Sequence, residues 1–424
     1  MINKVIGDGK TEYEYIERVK ERAENSAVEV TEAVSGIIHE VKQKGDDALM
    51  FYTEKFDKVK LSCLEISKDE IDKCIDSCDK AVVDALELSA KNIADFHNRQ
   101  ICQGFTVTKE NGVILGQRVR GLKRVGIYVP GGTAAYPSSV LMNAIPAKIA
   151  GVTEIIMATP PGKLNPDILA AAKIGGVDRI FLMGGAQAIA AMAYGTETVP
   201  KVDKITGPGN IYVATAKKLL YGIVDIDMIA GPSEILILAD SSANPKFVAA
   251  DLLSQAEHDT MASSILLTDS EALARQVEKE LEIQTEKLSR KDIIKASLKE
   301  YGAIIVCQSI DEAVSFANIL APEHLEVCCQ NPIEYIGKLD NVGSLFLGNY
   351  APEALGDYFA GPNHVLPTSG TARFFSPLSV DNFVKKSSYI YYTEDALRNA
   401  SKHVIELAET EGFTAHAASV KVRF

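Results

Sequence analysis

No stretch of this sequence approaches the run of about 20 apolar residues that a membrane-spanning helix needs, so no segment is expected to cross a bilayer. The basic-then-apolar layout of a secretory leader is missing too, because Met1-Ile2-Asn3-Lys4 runs on into Gly7, Asp8 and Glu12. The expected location is the cytoplasm. There is no block of lysine and arginine. With 44 Lys+Arg against 57 Asp+Glu the formal net charge is −13, which argues against nucleic acid or an anionic membrane as the partner and leaves small-molecule chemistry. The seven cysteines, Cys63, Cys74, Cys78, Cys102, Cys307, Cys328 and Cys329, are odd in number and contain no Cys-x-x-Cys pair, so they form no disulfide framework. Cys328 and Cys329 are neighbours in a strand-like run and should pack on opposite faces of a sheet. A full G-x-G-x-x-G fingerprint, a repeat of fixed period and a low-complexity linker are also absent.

What is present is a chain of 424 residues, 46% hydrophobic and 24% charged, too long for a single ordinary core. The first 100 residues are charged and helical in pattern, with an apolar stripe of Val28, Val34, Ile37, Ile38 and Val41. His39 flanks that stripe and His97 lies at a polar helix end; neither is assigned a function. From about Arg124, short β-branched runs alternate with apolar-periodic segments of helical length. The runs are 125–129, 154–158, 179–183, 204–206, 235–239, 264–268 and 303–306. This alternation predicts parallel sheets covered by helices. The turns Pro130-Gly131-Gly132-Thr133, Gly184-Gly185-Ala186-Gln187, Gly207-Pro208-Gly209-Asn210 and Gly231-Pro232-Ser233 fall where doubly wound sheets place ligands. After Leu347, patterning lapses for a stretch too apolar for disorder, which reads as a functional loop. The tail resumes with a strand-like run over 388–393 and a helix over about 394–411.

Four segments concentrate unusual polar chemistry. Gln255 and His258 sit three apart at the end of an apolar-periodic run, a spacing that on a helix points both side chains to one face, about 60° apart. The plainer reading of such a pair is a capped, solvated helix end. Glu323-His324 follows a helical segment that must end before Pro322, so the pair sits on a short turn. A carboxylate beside an imidazole suits proton transfer; the plainer reading is a solvated polar pair on a turn, without chemistry. Gln255, His258, Asp357 and His416 together offer two nitrogens and two oxygens, a donor set that suits Zn²⁺, with Mn²⁺ or Co²⁺ as substitutes. Pro130-Gly131-Gly132 could face a phosphate with its amides, but sheets of this class need glycine in tight turns in any case.

Read together, these segments resemble the histidinol dehydrogenase family. The resemblance covers nearly the whole chain and rests on Gly126-Ile127-Tyr128-Val129-Pro130-Gly131-Gly132, Gly207-Pro208-Gly209-Asn210, Ala230-Gly231-Pro232-Ser233-Glu234, Gln255-Ala256-Glu257-His258-Asp259, Ala321-Pro322-Glu323-His324-Leu325, Gly361-Pro362-Asn363-His364, and Glu411-Gly412-Phe413 with His416. It implies a zinc- and NAD-dependent oxidation of L-histidinol to L-histidine through the aldehyde, with hydride passed to two NAD molecules in turn. Gln255, His258, Asp357 and His416 resemble the zinc ligands, and Ser233, His364 and Glu411 resemble substrate contacts. Tyr128, Gln187 and Asn210 resemble residues lining the NAD site, His324 the base, and Glu323 the residue that activates water. The metal ligands and His324 count among the substrate contacts as well.

The resemblance further implies a homodimer in which His416 and Glu411 complete a site across the interface. The expected architecture is α/β, with two doubly wound, incomplete Rossmann-like parallel-sheet domains and small helical amino- and carboxy-terminal extensions. The expected division is a helical segment over 1–23, a discontinuous metal-bearing domain over 24–127 and 235–378, an inserted NAD-binding domain over 128–234, and a dimerisation tail over 379–424. Three alternatives compete. A relative acting on another small alcohol, such as a sulfonated diol, is disfavoured because anionic Glu411 would repel a sulfonate. A zinc hydrolase using Glu323 would form product without NAD. A non-catalytic binding protein would leave Glu323, His324 and the metal set without a purpose.

Overall fold

The computed structural model describes residues 2–21, 28–131, 136–163 and 165–424. Gly132 and Thr133 of the first glycine-rich turn, and the expected boundary at residue 23, lie outside the described residues. The strands are β1 (Asn3–Ile6), β2 (Phe105–Thr108), β3 (Ile114–Gly121), β4 (Arg124–Tyr128), β5 (Glu154–Thr159), β6 (Arg179–Leu182), β7 (Lys204–Thr206), β8 (Asp225–Ile226), β9 (Glu234–Ala239), β10 (Ser263–Thr268), β11 (Gly302–Val306), β12 (His324–Cys328), β13 (Ser344–Leu347) and β14 (Val384–Tyr391). Each run expected between 125 and 306 is a strand, within a residue of its expected ends.

Two parallel sheets form the body of the protein, as the alternation of strands and helices predicts. One has the order β6-β5-β4-β7-β8 and the other β1-β11-β10-β9-β12-β13. Apart from the edge strand β1, the two orders are the same, and each reverses direction once: between β4 and β7, and between β9 and β12. Such reversals open a crevice between the flanking loops, which is where doubly wound sheets bind ligands. Apolar clusters cover both faces of each sheet, one built around Ile156 and Phe181, one around Ile127 and Leu141, one around Ile237 and Leu252, and one around Leu238 and Phe316. Cys328 and Cys329 fall in different clusters on opposite faces of β12, in accord with their adjacency in a strand.

Three features escape the hydrophobic pattern. The amino-terminal segment adds β1 to the larger sheet, in register with β11, as well as the helix Thr11–Glu21. A three-stranded antiparallel sheet, β14-β3-β2, ties the carboxy-terminal tail to residues 105–121. β2 is exposed along its whole length, so it lacks the buried face that gives a strand its signature. The loop after Leu347 contains a helix, Glu353–Tyr358, too short for its periodicity to show.

Candidate functional site

The turns after β4, β6 and β7 lie at the carboxyl edge of the five-stranded sheet, as expected, whereas Gly231-Pro232-Ser233, which leads into β9, lies with Glu323 and His324 at the amino edge of the six-stranded one. The helix Ile310–Leu320 ends in a left-handed residue, Ala321 (φ 49°), and Pro322 prevents the helix from resuming. His324 is the first residue of β12, in register with Ile235 of β9, so the expected turn position holds for Glu323 while His324 is anchored in the sheet. Both side chains are tied to the main chain of Glu234. Its N–H donates to the Glu323 carboxylate at 2.9 Å, and its carbonyl lies 3.0 Å from His324 Nδ1.

The helix Pro245–Ala256, capped by the Asn244 side chain and started by Pro245, brings Gln255 to the same edge. The helix stops at Ala256, so His258 reaches the site from the turn beyond it, its N–H donating to the Gln255 carbonyl at 3.2 Å. The expected sharing of one helical face is therefore replaced by a tighter turn. The helix Glu353–Tyr358 faces them. Glu353 and Asp357, one turn apart, meet His258 so that one ligand atom from each of the three lies within 4.8 Å of the others. Glu353 was not singled out from the sequence; its spacing of four from Asp357 is the signal that could have found it, once the segment was recognised as helical.

His324 sits among carboxylates, with Nδ1 3.6 Å from Glu323 and 3.8 Å from Glu353, and Nε2 3.7 Å from Asp357. Burial pushes the Glu323 carboxyl up to about 8 and that of Glu353 up to about 7, His324 opposing the shift in both. Burial alone would lower His324, but Glu323, Glu353 and Asp357 outweigh it and raise the imidazole well above its ordinary value. Burial also disfavours the charge on Asp357, yet the imidazole of His324, 3.7 Å away, and those of His364 and His258 hold its carboxyl below the usual value. A cavity of about 270 Å³ opens beside these groups, walled by His324, Phe346, Leu355, Asp357 and His364.

The donor set suits a divalent cation. Gln255 is fully buried, and neither its Nε2 nor its Oε1 has a hydrogen-bond partner among the described residues. A buried amide left so is costly unless something else engages it, and a metal bound also by His258 and Asp357 would do so. Carboxylates crowded at that density favour a nearby cation, which would lower the proton affinity that burial raises in Glu323 and Glu353.

His364 extends the site toward the other sheet. Its Nδ1 meets the Asp357 carbonyl at 2.9 Å and its Nε2 lies 3.5 Å from the Ser139 hydroxyl, on the helix that follows β4. Ser233, half-buried, immediately precedes β9, and its carbonyl accepts from Ser263 N–H. Tyr128 ends β4 with its hydroxyl accepting from Gly185 N–H at 3.0 Å. Gln187, two residues on, is buried with its Oε1 unpartnered among the described residues. Asn210 caps the helix Ile211–Leu220, accepting from Tyr212 and Val213 N–H. The structure thus brings Gln255, His258, Glu323, His324, Asp357 and His364 to one edge, and sets Tyr128, Gln187 and Asn210 along the other. Glu411 and His416 are exposed on the carboxy-terminal tail, where His416 packs against the Phe413 ring; within one chain neither joins the group.

His97 departs from expectation. It does end a helix, Lys80–His97, but is fully buried rather than solvated, and its Nε2 lies 3.3 Å from the amide nitrogen of Asn363, next to His364.

Among the described residues no helix is long and apolar enough to cross a membrane. The family model of histidinol dehydrogenases matches residues 20–424. The histidinol dehydrogenase of Clostridium acetobutylicum is 58% identical over 427 residues, covering 100% of this chain and 99% of that one. That of Listeria innocua is 54% identical over 418 residues, covering 98% of each. The crystal structure of histidinol dehydrogenase from Elizabethkingia anophelis superposes with a TM-score of 0.93 at 40% identity, covering 100% of this chain and 98% of that one. Matches of this extent, from end to end and in three dimensions as well as in sequence, leave one assignment: the chain belongs to the histidinol dehydrogenase family.

Proposed function

We propose that this chain carries out the zinc- and NAD-dependent oxidation of L-histidinol to L-histidine by way of L-histidinaldehyde, the activity of its family, with the residues gathered at the sheet edges in the roles their chemistry suits. Gln255, His258, Asp357 and His416 are the metal ligands; Ser233, His364 and Glu411 contact the substrate together with those ligands and His324; Tyr128, Gln187 and Asn210 line the NAD site. Held by those ligands, a metal would supply a Lewis acid that orients the substrate through its nitrogens more than it activates water, and NAD would supply the hydride acceptor.

The protein's own groups then move protons. His324 Nε2 takes the hydroxyl proton as hydride leaves the carbinol carbon. The aldehyde must be hydrated before it can lose a second hydride, and Glu323 takes a proton from the water that adds to it. For each histidinol and one water consumed, the products are one histidine carboxylate, two NADH and three protons. The observation that carries this reading is the fully buried Gln255 amide, unpartnered among the described residues, at the end of the helix that leads to His258, which itself meets Glu353 and Asp357, in a chain of this family.

The exposed tail supports a site shared in a homodimer, with Glu411 and His416 supplied by the partner chain; a biosynthetic activity of this kind is in keeping with a cytoplasmic enzyme of small-molecule metabolism. On this reading residues 128–234, with the rest of β4 from Arg124, form an inserted NAD-binding unit within a metal-bearing unit of 24–127 and 235–378, and 379–424 form the dimerisation tail. The test is NADH absorbance with L-histidinol and NAD, before and after chelation and zinc restoration, with histidine quantified. Two NADH per histidine, lost with the metal and regained with zinc, supports the reading; turnover of another alcohol in preference to histidinol sinks it. Constant specific activity on dilution through dimer dissociation would refute the shared site.

A further inference from the structure

Outside the metal-side cluster the structure holds a buried ion pair that the chemistry above does not use. Lys217, on the helix Ile211–Leu220, contacts Asp227, just after β8, with side chains only 3% and 1% exposed. Both reach the same residue of a glycine-rich turn: Lys217 Nζ donates to the Gly207 carbonyl at 3.0 Å, and Gly207 N–H donates to Asp227 Oδ2 at 2.8 Å. Asp227 Oδ1 also accepts from Met228 N–H at 2.7 Å. The pair therefore satisfies both polar groups of one buried peptide segment, and its charges cancel.

Gly207 sits at the reversal of strand order, directly after β7 and against the end of β4. Its φ is +112°, and a Cβ there would lie 2.1 Å from the Tyr128 carbonyl oxygen. The turn thus lies on the backbone of Tyr128 at one end and delivers Asn210 to the helix cap three residues later. Fixing Gly207 fixes the spacing of Tyr128 and Asn210 across the crevice. A buried ion pair is poor evidence for stability, because apolar residues of similar volume often serve a fold as well or better. What apolar residues cannot do is engage a peptide N–H and C=O at once.

We propose that Lys217 and Asp227 are a positioning pair that holds the Gly207–Asn210 turn in shape for the dinucleotide, so that losing it weakens NAD rather than histidinol. The inference rests on Tyr128 and Asn210 lining the NAD site. Its signature is a split in kinetic constants that a structural role alone would not give.

The experiment measures KM for NAD, KM for histidinol and kcat on the zinc-loaded full chain for Asp227→Asn, Lys217→Met with Asp227→Leu, and Asn210→Ala. Asp227→Asn should raise KM for NAD about tenfold with KM for histidinol within about twofold, since one buried partner is lost. The apolar double variant should melt near the unaltered enzyme yet keep the raised KM for NAD, because Gly207 stays unheld. A double variant with unaltered KM for NAD, or variants in which both KM values rise together, overturns the proposal. Asn210→Ala separates the two readings: if it leaves KM for NAD unchanged, the assignment of the NAD site has failed; if it raises KM for NAD while Asp227→Asn does not, the positioning role has failed. Should the pair variants not fold, hydrogen exchange on the unaltered enzyme without NAD decides. The Gly207 amide is expected to exchange at least about 10³-fold more slowly than an unstructured one; exchange near the unstructured rate overturns the proposal.

Discussion

The carbonyl oxygen of Glu234 lies 3.0 Å from His324 Nδ1. A carbonyl can only accept, so Nδ1 carries a hydrogen, and in the neutral ring, the form a bound cation beside the carboxylates would favour, the lone pair is on Nε2. Nε2 has no hydrogen-bond partner among the described residues and faces Asp357 at 3.7 Å. The sheet, through one main-chain group of β9, thus selects which nitrogen could serve as a base. His324→Gln should lower the rate of the first NADH-forming step by about 10²–10⁴-fold, the usual contribution of a general base. Single-turnover absorbance at saturating histidinol measures it, and a loss under about threefold would place the base elsewhere.

Glu323 differs from His324 in what its proton can do. Its carboxyl is held by Glu234 N–H and pushed up to about 8 by burial, which makes it a base matched to water near neutral pH. Glu323→Gln keeps the shape and an acceptor for that N–H but removes the base. The expected outcome is a second oxidation slowed by about 10²-fold or more while the first is nearly preserved, seen as histidinaldehyde captured in place of histidine. Equal loss of both steps would end that division of labour.

The alternation of β-branched runs with apolar helices was legible because strands buried on both faces read as continuous apolar segments, as β9 (Glu-Ile-Leu-Ile-Leu-Ala) does. β2 and β14 were not, or not fully, because an exposed antiparallel sheet joining residues 105–108 to 384–391 through β3 leaves little apolar pattern to read. The polar residues of the site were legible as types and spacings. Their roles came only with the family resemblance, since nothing local in Gln255-Ala256-Glu257-His258 says that Asp357 lies opposite. Glu353 was missed for the same reason: its partner His324 is 29 positions earlier in sequence and 3.8 Å away in space.

Without metal, the crowded carboxyls should make stability fall with rising pH. Glu323 and Glu353 bind protons more tightly folded, at about 8 and about 7, than at their ordinary value of 4.5, and His324 also holds its proton more tightly. The native state therefore keeps protons that the unfolded chain releases, and the stabilisation is complete below about pH 4.5 and lost as pH rises through about 7 to 8. Thermal melting of the chelated enzyme should fall steadily across pH 6 to 9. Restored zinc, whose charge favours the carboxylates, should flatten that limb. A chelated enzyme with a flat alkaline limb would contradict the raised values.

Gln255 should trade stability against metal. Its buried amide has no partner among the described residues, so Gln255→Leu removes an unsatisfied group without emptying its volume. Metal-free, the variant should melt at or above the unaltered enzyme, with a change of about 0 to +2 kcal/mol, while its zinc affinity falls at least about 10-fold. Zinc content after dialysis against graded chelator, with melting on the same samples, tests both halves. A variant that binds zinc normally would remove Gln255 from the ligand set.

His97 is the last residue whose burial carries a consequence. Its Nδ1 lies 2.8 Å from the Ile93 carbonyl and so must carry hydrogen, which leaves Nε2 to accept from Asn363 at 3.3 Å. Asn363 uses the other hydrogen of its amide on the Met142 carbonyl and takes Val365 N–H on its oxygen, so the neutral imidazole completes a fully bonded buried group just before His364. His97→Leu should cost about 1–3 kcal/mol by stranding that amide hydrogen, and should raise KM for histidinol through the displaced His364. Burial also lowers the affinity of His97 for a proton below its ordinary 6.5, so the unfolded chain binds the proton first. Its contribution is then complete above about 6.5 and is lost as pH falls below that value. The variant's melting temperature should accordingly be lower than that of the unaltered enzyme near pH 7.5 and approach it by pH 5. A difference that stays constant across that range would mean that His97 acts by packing alone.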